Sequence, residues 1–488
     1  MKTKPLAALL GGLLLLLMLL AIPQILPEIK TDAARSPFVW DRDQLWEALE
    51  TQFSEARRWS SGKLDRHIDR GLTRLEMLIG RLEGPSLAPD AALWGQAEER
   101  LWAVAPLIAA RPKQFVRFNQ NVNCLQRAAK RQARDWPPDQ PAGRNRLYRL
   151  IYGGRTSSEE IALQAPDGTL PALFPGAAQP SATPGITVHG ITVHSGDILV
   201  SRGGAPTSAL IARGSDYPGN FSHVALAYVD ARSGQGAVIE ALIEKGVVIT
   251  SVDDYLRDKK LRILVLRPRA ELPAIRENPM APHEAASRMF QRVQGRHIPY
   301  DFAMDFQNPD KMFCSEVVYA AYDRVGIRLW TGLSRISAPG TARWLAGFGV
   351  SHFITLEPSD LEYDPQLAVV AEWRDPEALF KDHLDNAVTD VMLEGANAGE
   401  KLQYNGYLLP LVRLAKLYSM FKNLWGAIGP VPEGMTATAA LRHRWYSARH
   451  NLLVQRVRAA AEEFAMHNGY RPPYWELVKM ARRARQSP

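Results

Sequence analysis

The 488-residue sequence has only two cysteines, Cys124 and Cys314. A framework of several disulfides is therefore excluded, and at most one bridge can join the two thiols. Zinc-finger spacing and RNA-recognition signatures are also missing, so we expect no nucleic acid partner despite a formal net charge of +8. Hydrophobic and charged residues make up ordinary fractions, 46% and 23%, which argues against disorder. The length predicts two or three folding units.

The N-terminus carries a long apolar run. Residues 6–22 contain no charge and are dominated by leucine, and Lys2 and Lys4 precede them. Residues 24–26 bring the run near the roughly 20 residues that span a bilayer. A secretory signal has a similar charged start and apolar middle, but no clear small-x-small cleavage site follows. We therefore predict a signal anchor over residues 1–30, one transmembrane helix that makes the lipid bilayer a partner. Because the lysines precede it, the rest of the chain is expected on the periplasmic side of the cell membrane.

Apolar residues recur at helical spacing in two flanking regions. Residues 38–136 are predicted as a helical region whose stripe is most simply the core of a bundle. Residues 376–488 are predicted as a second helical region. Its segment 407–428 is very apolar but carries Arg413, Lys416 and Lys422. This segment is either a buried helix or a helix in a membrane interface, and we favour the buried helix.

Residues 137–192 are rich in proline, glycine, alanine and serine, and we predict a linker with some local structure. The linker ends in a short repeat, Gly185-Ile-Thr-Val-His189 followed by Gly190-Ile-Thr-Val-His194. In a strand this odd spacing places the two rings on opposite faces, and no cysteine or acidic residue adjoins the repeat. We therefore expect strand or turn histidines and no metal site. No cofactor is predicted anywhere in the sequence.

The region 193–358 changes to strand periodicity. Short β-branched or apolar segments alternate with turn residues, at 197–201, 223–229, 237–243, 247–250 and 261–266. Two helices follow, one over 283–294 and one that begins at Cys314. Strands followed by helices predict an α+β domain with an antiparallel sheet.

Three side chains in this region supply a thiol, an imidazole and a carboxylate, the parts that a cysteine hydrolase needs. Cys314 begins an apolar-striped helix, where the unpaired amides lower a thiol pKa and its own amide can donate to an oxyanion. His223 opens an apolar strand, and Glu240 lies inside the next one. A carboxylate is out of place in such a strand unless it is paired.

The spacing between the two strands predicts how His223 and Glu240 meet. If residues 230–233 form a four-residue hairpin loop, Val229 opposes Gly234 and His223 lies directly opposite Glu240 on one face. Glu240 can then hold the second ring nitrogen and fix its tautomer. A loop longer by one residue turns Glu240 to the other face. Glu244 is the fallback for the orienting role.

Five short motifs carry a resemblance to a known group. They are Gly196-Asp197-Ile198, Ser222-His223-Val224, the Glu240 strand with Gly246-Val247, Tyr300-Asp301 and Cys314-Ser315-Glu316. In this order they resemble the circularly permuted NlpC-type papain-like cysteine hydrolases. The nearest likeness is to the YiiX/YebB-like family, with lecithin retinol acyltransferase as a distant relative. The resemblance covers about residues 190–350, and Ala225 departs from it where these proteins often have glycine.

The resemblance implies a permuted papain-like domain, which we bound at 193–358, with a nucleophile helix. It assigns the role of nucleophile to Cys314, of base to His223 and of orienting acid to Glu240. It also implies that Tyr300 lies near the substrate. We expect a membrane-anchored, extracytoplasmic thiol hydrolase that cleaves an amide or ester bond of a cell-wall peptide or a lipid acyl group. The alternatives are an acyltransferase on lipid substrates and a non-catalytic, membrane-tethered interaction protein.

Overall fold

The computed structural model describes residues 12, 15–24, 26, 29, 36–40, 42–84, 86–137, 140–423, 425 and 427–486. Five helices form the first part of the described fold and share one apolar core. The stripe of α2, which includes Leu64, Ile68 and Leu72, is buried as helical spacing predicts. The helices are α1 (Arg42–Arg58), α2 (Ser61–Leu82), α3 (Ala92–Ala110), α4 (Phe115–Gln132) and α5 (Pro141–Leu163).

Helix α5 occupies much of the segment that we predicted as a linker, and that prediction is wrong there. Its glycines are not hinges. A Cβ atom at Gly153 would come within 3.0 Å of the Trp102 ring, and one at Gly154 within 3.0 Å of Val122. The small residues therefore let α5 approach α3 and α4 closely, and this close packing explains a composition that otherwise indicates flexible chain.

A seven-stranded antiparallel sheet forms the centre of the described fold, in the order β1-β11-β8-β4-β5-β6-β7. The predicted antiparallel sheet is confirmed. The strands are β1 (Leu173–Pro175), β4 (Ile198–Gly203), β5 (His223–Val229), β6 (Gly236–Leu242), β7 (Gly246–Ser251), β8 (Lys260–Pro268) and β11 (Leu367–Arg374). Two small pairs accompany it, β2 (Gly185–Val188) with β3 (Ile191–His194), and β9 (Ser334–Arg335) with β10 (Ile354–Thr355).

Two of the helices in this region pack on one face of the sheet, against β5. They are α9 and α10, and α10 begins at Cys314. Strand β11 extends the sheet beyond residue 358, the predicted end of the domain, by pairing with β8. The helices of this central part are α6 (Pro206–Arg213), α7 (Val252–Arg257), α8 (Pro273–Glu277), α9 (Ala281–Gly295), α10 (Cys314–Asp323), α11 (Pro339–Phe348) and α12 (Asp360–Tyr363).

The C-terminal part is helical, as predicted, with α13 (Pro376–Asn397), α14 (Leu409–Asn423), α15 (Ala437–Asn468) and α16 (Tyr474–Gln486). Our preference for a buried helix over 407–428 is wrong. In α14 the buried residues are Leu409 and Ser419, whereas Leu411 and Leu417 are 63% and 60% exposed. Leu414, Tyr418, Met420 and Phe421 are exposed as well, so most of the stripe faces outward.

None of the helices in the described ranges combines the length and the apolar character that a membrane crossing requires. The predicted signal anchor over residues 1–30 lies in large part outside the described residues, and it stays a prediction.

Buried ion pairs join the helical parts to the sheet. The carboxylate of Asp382 on α13 pairs with Arg262 Nη2 on β8 at 2.7 Å and with Arg202 Nε on β4 at 3.1 Å. Arg155 on α5 pairs with Glu372 on β11 at 2.5 Å. All five side chains are buried, so each charge depends on its partner for compensation. The flanking helices and the sheet therefore form a connected structure around the site.

Candidate active site

Cys314 is the first residue of α10, and its side chain is buried with 5% exposure. The chain enters this helix through Phe313, whose backbone N–H donates to Glu316 Oε2 at 2.8 Å. Because Cys314 begins the helix, its backbone amide has no intrahelical acceptor. Such amides favour negative charge on the thiol and can donate to an oxyanion that forms beside it.

The ring of His223, at the start of β5, lies beside the Cys314 thiol, and each group shifts the pKa of the other. Burial by itself would raise the pKa of the Cys314 thiol, but the His223 hydrogen bond and charge and the Val224 backbone amide outweigh it and lower that pKa. Burial would likewise lower the pKa of His223, but its bonds with Cys314 and Glu240 raise it to about 9. The lowered pKa of the thiol and the raised pKa of the imidazole both favour a thiolate beside an imidazolium.

Glu240 holds the other side of the ring, because His223 Nε2 lies 2.7 Å from Glu240 Oε2. Burial would raise the pKa of Glu240, but the hydrogen bond and charge of His223, the charge of Lys260 and the Thr250 hydrogen bond lower it. Thr250 Oγ1 donates to Glu240 Oε1 at 2.9 Å. The carboxylate is thus fixed at both oxygens, and Nδ1 is the ring nitrogen left to face the thiol.

The predicted register between β5 and β6 is wrong by two residues. Ala225, and not His223, lies opposite Glu240, and Val229 lies opposite Gly236. The connection is longer because Asp230 accepts from Ser233 N at 2.7 Å and its own amide donates to Gln235. A shift of two residues preserves the face, since side chains alternate with period two. Glu240 therefore meets His223 diagonally, and Glu244 does not take its place.

Tyr300 lies in the loop before α10 and lines the same cavity as Cys314. Its segment is held from two sides, since Met312 N donates to Pro299 O at 3.1 Å and Val247 N donates to Ile298 O at 2.8 Å. Gly246 has a φ of 75°, and a Cβ there would lie 2.2 Å from Ile298 O. The glycine therefore permits the backbone at residue 246 to lie this close to the Ile298 carbonyl. Burial, followed by the charge of Cys314, raises the pKa of Tyr300 well above its ordinary value, so the phenol stays protonated.

The cavity at Cys314 has a volume of about 800 Å³. The sheet domain forms one wall, where His223, Cys314 and Tyr300 lie. The C-terminal helices form the opposite wall, with Val412 of α14 and His443 of α15 among its residues. We did not predict this wall, because nothing local in the sequence relates residues 412–444 to the thiol.

Glu357 is a buried carboxyl of this cavity that sequence reasoning missed. The side chain is buried, and burial, followed by the charges of Asp360 and Cys314, raises its pKa well above the ordinary value. A carboxyl that stays protonated is a hydrogen-bond donor toward a site that develops negative charge. It lies in a loop after β10, and the only sequence signal is a lone acidic residue between apolar Leu356 and Pro358.

The other residues singled out in the sequence lie apart from this chemistry. Asp197 accepts from Arg267 at 2.8 and 2.7 Å and so braces the sheet. His194 Nδ1 lies 2.6 Å from Thr183 O, and His189 sits at the turn between β2 and β3. Cys124 and Cys314 are both free thiols. Within the described ranges, no group of three or more histidine, cysteine and acidic residues is placed to hold a metal ion.

A thiol at a helix start, an imidazole on a neighbouring strand and a carboxylate behind it define the site of a papain-like thiol enzyme. Here the histidine precedes the cysteine in sequence, the order expected of a permuted domain. Residues 192–371 match a family model described as "Permuted papain-like amidase enzyme, YaeF/YiiX, C92 family". The resemblance to YiiX-like proteins is thereby confirmed for this domain, which is less than half of the chain. The match extends into β11 and past our predicted boundary. None of the curated proteins compared matches the chain.

Proposed function

We propose that this protein is a membrane-anchored, extracytoplasmic thiol hydrolase that cleaves an amide or ester bond. Cys314 is the nucleophile, His223 the acid and base, and Glu240 the residue that orients the imidazole. The observation that supports this most directly is the continuous chain of contacts from Glu240 through His223 to Cys314. The amidase description of the matching family supports an amide bond as the target.

The reaction proceeds through an acyl-enzyme. The Cys314 thiolate attacks the carbonyl carbon, and the oxyanion that forms lies beside the backbone amide at the start of α10. The His223 imidazolium gives its proton to the leaving nitrogen or oxygen, and the carbon–heteroatom bond breaks to leave a thioester. Neutral His223 then takes a proton from water, whose oxygen attacks the thioester and releases the acid and the thiolate. Glu240 keeps the ring in position through both steps.

Membrane anchoring and the outward orientation rest on the sequence of the N-terminus. Residues 6–22 are apolar and Lys2 and Lys4 precede them, which favours an anchor with the domain outside the cytoplasm. A cell-wall peptide and a lipid acyl group both remain candidate substrates. Fusion of an alkaline phosphatase reporter after Pro488 tests the orientation, and an inactive reporter in cells that produce the full chain would contradict it.

The activity is tested with a p-nitrophenyl ester and an N-acyl anilide, followed by mass spectrometry of the protein. We expect the acyl group on Cys314 in the wild type and in Cys124→Ser, the matched control, and none in Cys314→Ser. Equal acylation of both variants would refute the proposal, and no acylation of the wild type would favour a non-catalytic protein. Addition of amines or alcohols separates a hydrolase from an acyltransferase, because a transferase passes the acyl group to them.

A further inference from the structure

Helix α14 presents a wide apolar face to the outside. Leu414 and Phe421 are 52% and 59% exposed, on the same face as Leu411 and Leu417. A soluble monomer rarely exposes such a contiguous apolar patch unless it meets a partner or a membrane. We call this the α14 surface, and it comprises Leu411, Leu414, Leu417, Tyr418, Met420, Phe421 and Trp425.

A second apolar segment lies beside this surface. Arg413 Nη1 donates to Leu19 O at 2.8 Å, and its other terminal nitrogen donates to Ile22 O. Gln24 N, a little further along, donates to Thr438 Oγ1 at 3.2 Å. The leucines and methionine at 15–19 are exposed as well. The exposed apolar residues at 15–22 therefore lie beside helix α14.

The charged residues around these apolar side chains indicate which partner can cover them. Residues 401–432 contain four cationic side chains, Lys401, Arg413, Lys416 and Lys422, and no aspartate or glutamate. A second copy of the chain would bring these like charges together, whereas anionic headgroups would compensate them. Trp425 and Tyr418 carry the amphipathic rings that favour the membrane–water interface. Three charges within α14 make it too polar to span, so it suits the plane of the interface.

The opposite side of the same helix faces the site. Val412 and Ala415 line the cavity that contains Cys314, as do Val431 and Met435 just after α14. The outward face and the cavity wall therefore belong to one helix. A molecule held in the outer part of a bilayer at this face would lie beside an apolar route to the thiol.

We propose that the α14 surface docks in the headgroup region of an anionic bilayer and opens the Cys314 cavity to a lipid-linked substrate. Docking depends on α14 and not on the chemistry at Cys314. The choice of substrate rests on the proposed function, because it assumes that Cys314 attacks an amide or ester. An acyl chain would occupy the apolar part of the cavity, with its carbonyl at the thiol.

Docking is tested by site-specific fluorescence on the full chain in a Cys124→Ser/Cys314→Ser background. The environment-sensitive probe NBD is attached to Leu417→Cys and, as the control, to Met466→Cys, which is 77% exposed on α15. Vesicles contain equal amounts of phosphatidylcholine and phosphatidylglycerol, with nitroxide-labelled lipid as quencher. We expect a blue shift and strong quenching at 417 and neither at 466.

Two results would overturn docking. One is a probe at 417 that keeps its aqueous emission when the chain is bound to vesicles. The other is a blue shift at 417 that appears without lipid and grows with protein concentration, which would assign the surface to a second copy. Both readouts are independent of catalysis, so they separate failure of docking from failure of the proposed activity.

The substrate part is tested with Leu414→Glu/Leu417→Glu against Met466→Glu. The rates are compared for a water-soluble p-nitrophenyl ester and for a long-chain acyl ester embedded in the same vesicles. We expect the ratio of embedded to soluble rates to fall at least about tenfold in the double variant, because two exposed leucines that would insert into the bilayer are replaced by charged residues. An unchanged ratio would overturn delivery from the bilayer, and cleavage of neither ester would count against the proposed function instead.

Discussion

Replacement of His223 by alanine should make the Cys314 thiol less acidic. In the structure, the hydrogen bond and charge of His223 are what overcome the burial that otherwise raises the thiol pKa. A hydrogen bond to a charged partner contributes about 1.5–3 kcal/mol, and one pKa unit corresponds to about 1.4 kcal/mol. We therefore expect the pKa of Cys314 to rise in His223→Ala, because the thiolate loses this stabilisation.

The measurement is the rate of alkylation of Cys314 by iodoacetamide as a function of pH, in a Cys124→Ser background. The alkylated peptide is quantified by mass spectrometry. Because the thiolate is the reactive form, a loss of about 1.5–3 kcal/mol in thiolate stabilisation predicts an alkylation rate about 10–100-fold lower at mildly acidic pH. His443→Ala is the matched control, since His443 lines the same cavity and bonds to Thr207.

Two outcomes would refute this reasoning. If His223→Ala keeps the wild-type midpoint, the imidazole does not stabilise the thiolate, and the proposed pair is wrong. If His443→Ala shifts the midpoint as far as His223→Ala does, the effect reflects a general change in the cavity and not the specific bond. Circular dichroism of both variants checks that the fold is retained.

Three further predictions concern the carboxylates. The pKa of His223 is raised to about 9 by Cys314 and then by Glu240, and Glu240→Gln removes the charge of the second group. The alkaline fall of anilide hydrolysis, which marks loss of the imidazolium as pH rises, should therefore move to lower pH; an unmoved pH–rate profile would contradict this. Glu357→Leu should lower kcat/KM by about 10²-fold through loss of a donor, and Glu357→Gln by less; equal kinetics of both would contradict donation. Asp382→Ala should lower the free energy of unfolding in urea by about 3–5 kcal/mol, because buried Arg202 loses its carboxylate partner and buried Arg262 loses one of its partners. Surface Asp65→Ala should cost under about 1 kcal/mol.

Local sequence patterns predicted the elements that carry the site. Strand β5 begins at His223 as expected, and the helix begins at Cys314 as expected. The loop between β5 and β6 could not be sized from sequence, because the Asp230 carboxylate organises a longer turn than four residues. Glu240 still faces His223 despite this error, because the loop is longer than predicted by an even number of residues. One additional residue would have placed Glu240 on the opposite face.

Contacts between distant segments were beyond the reach of sequence patterns. Strand β11 joins the sheet through pairs such as Leu367 with Pro268, across about a hundred residues. In the sequence Glu357 resembles an ordinary loop residue, and only the tertiary structure shows that it is buried in the cavity. Helix α5 was mistaken for linker because glycine has the same composition signal in a flexible chain and in a tight helix contact. In each case the tertiary structure, and not the local pattern, determines the role.

The segment 407–428 was ambiguous for a physical reason. An α-helix presents two sides with a period of 3.6 residues, and here both sides are apolar. Val412 faces the cavity while Leu411 and Leu414 face outward. The matching family model ends at residue 371, whereas this wall of the cavity comes from residues 412–444. Under the proposed function, the thiol chemistry belongs to the papain-like domain, and we expect the C-terminal helices to select the molecules that reach it. A permuted papain-like domain without such helices should share the reactive cysteine and differ in substrate.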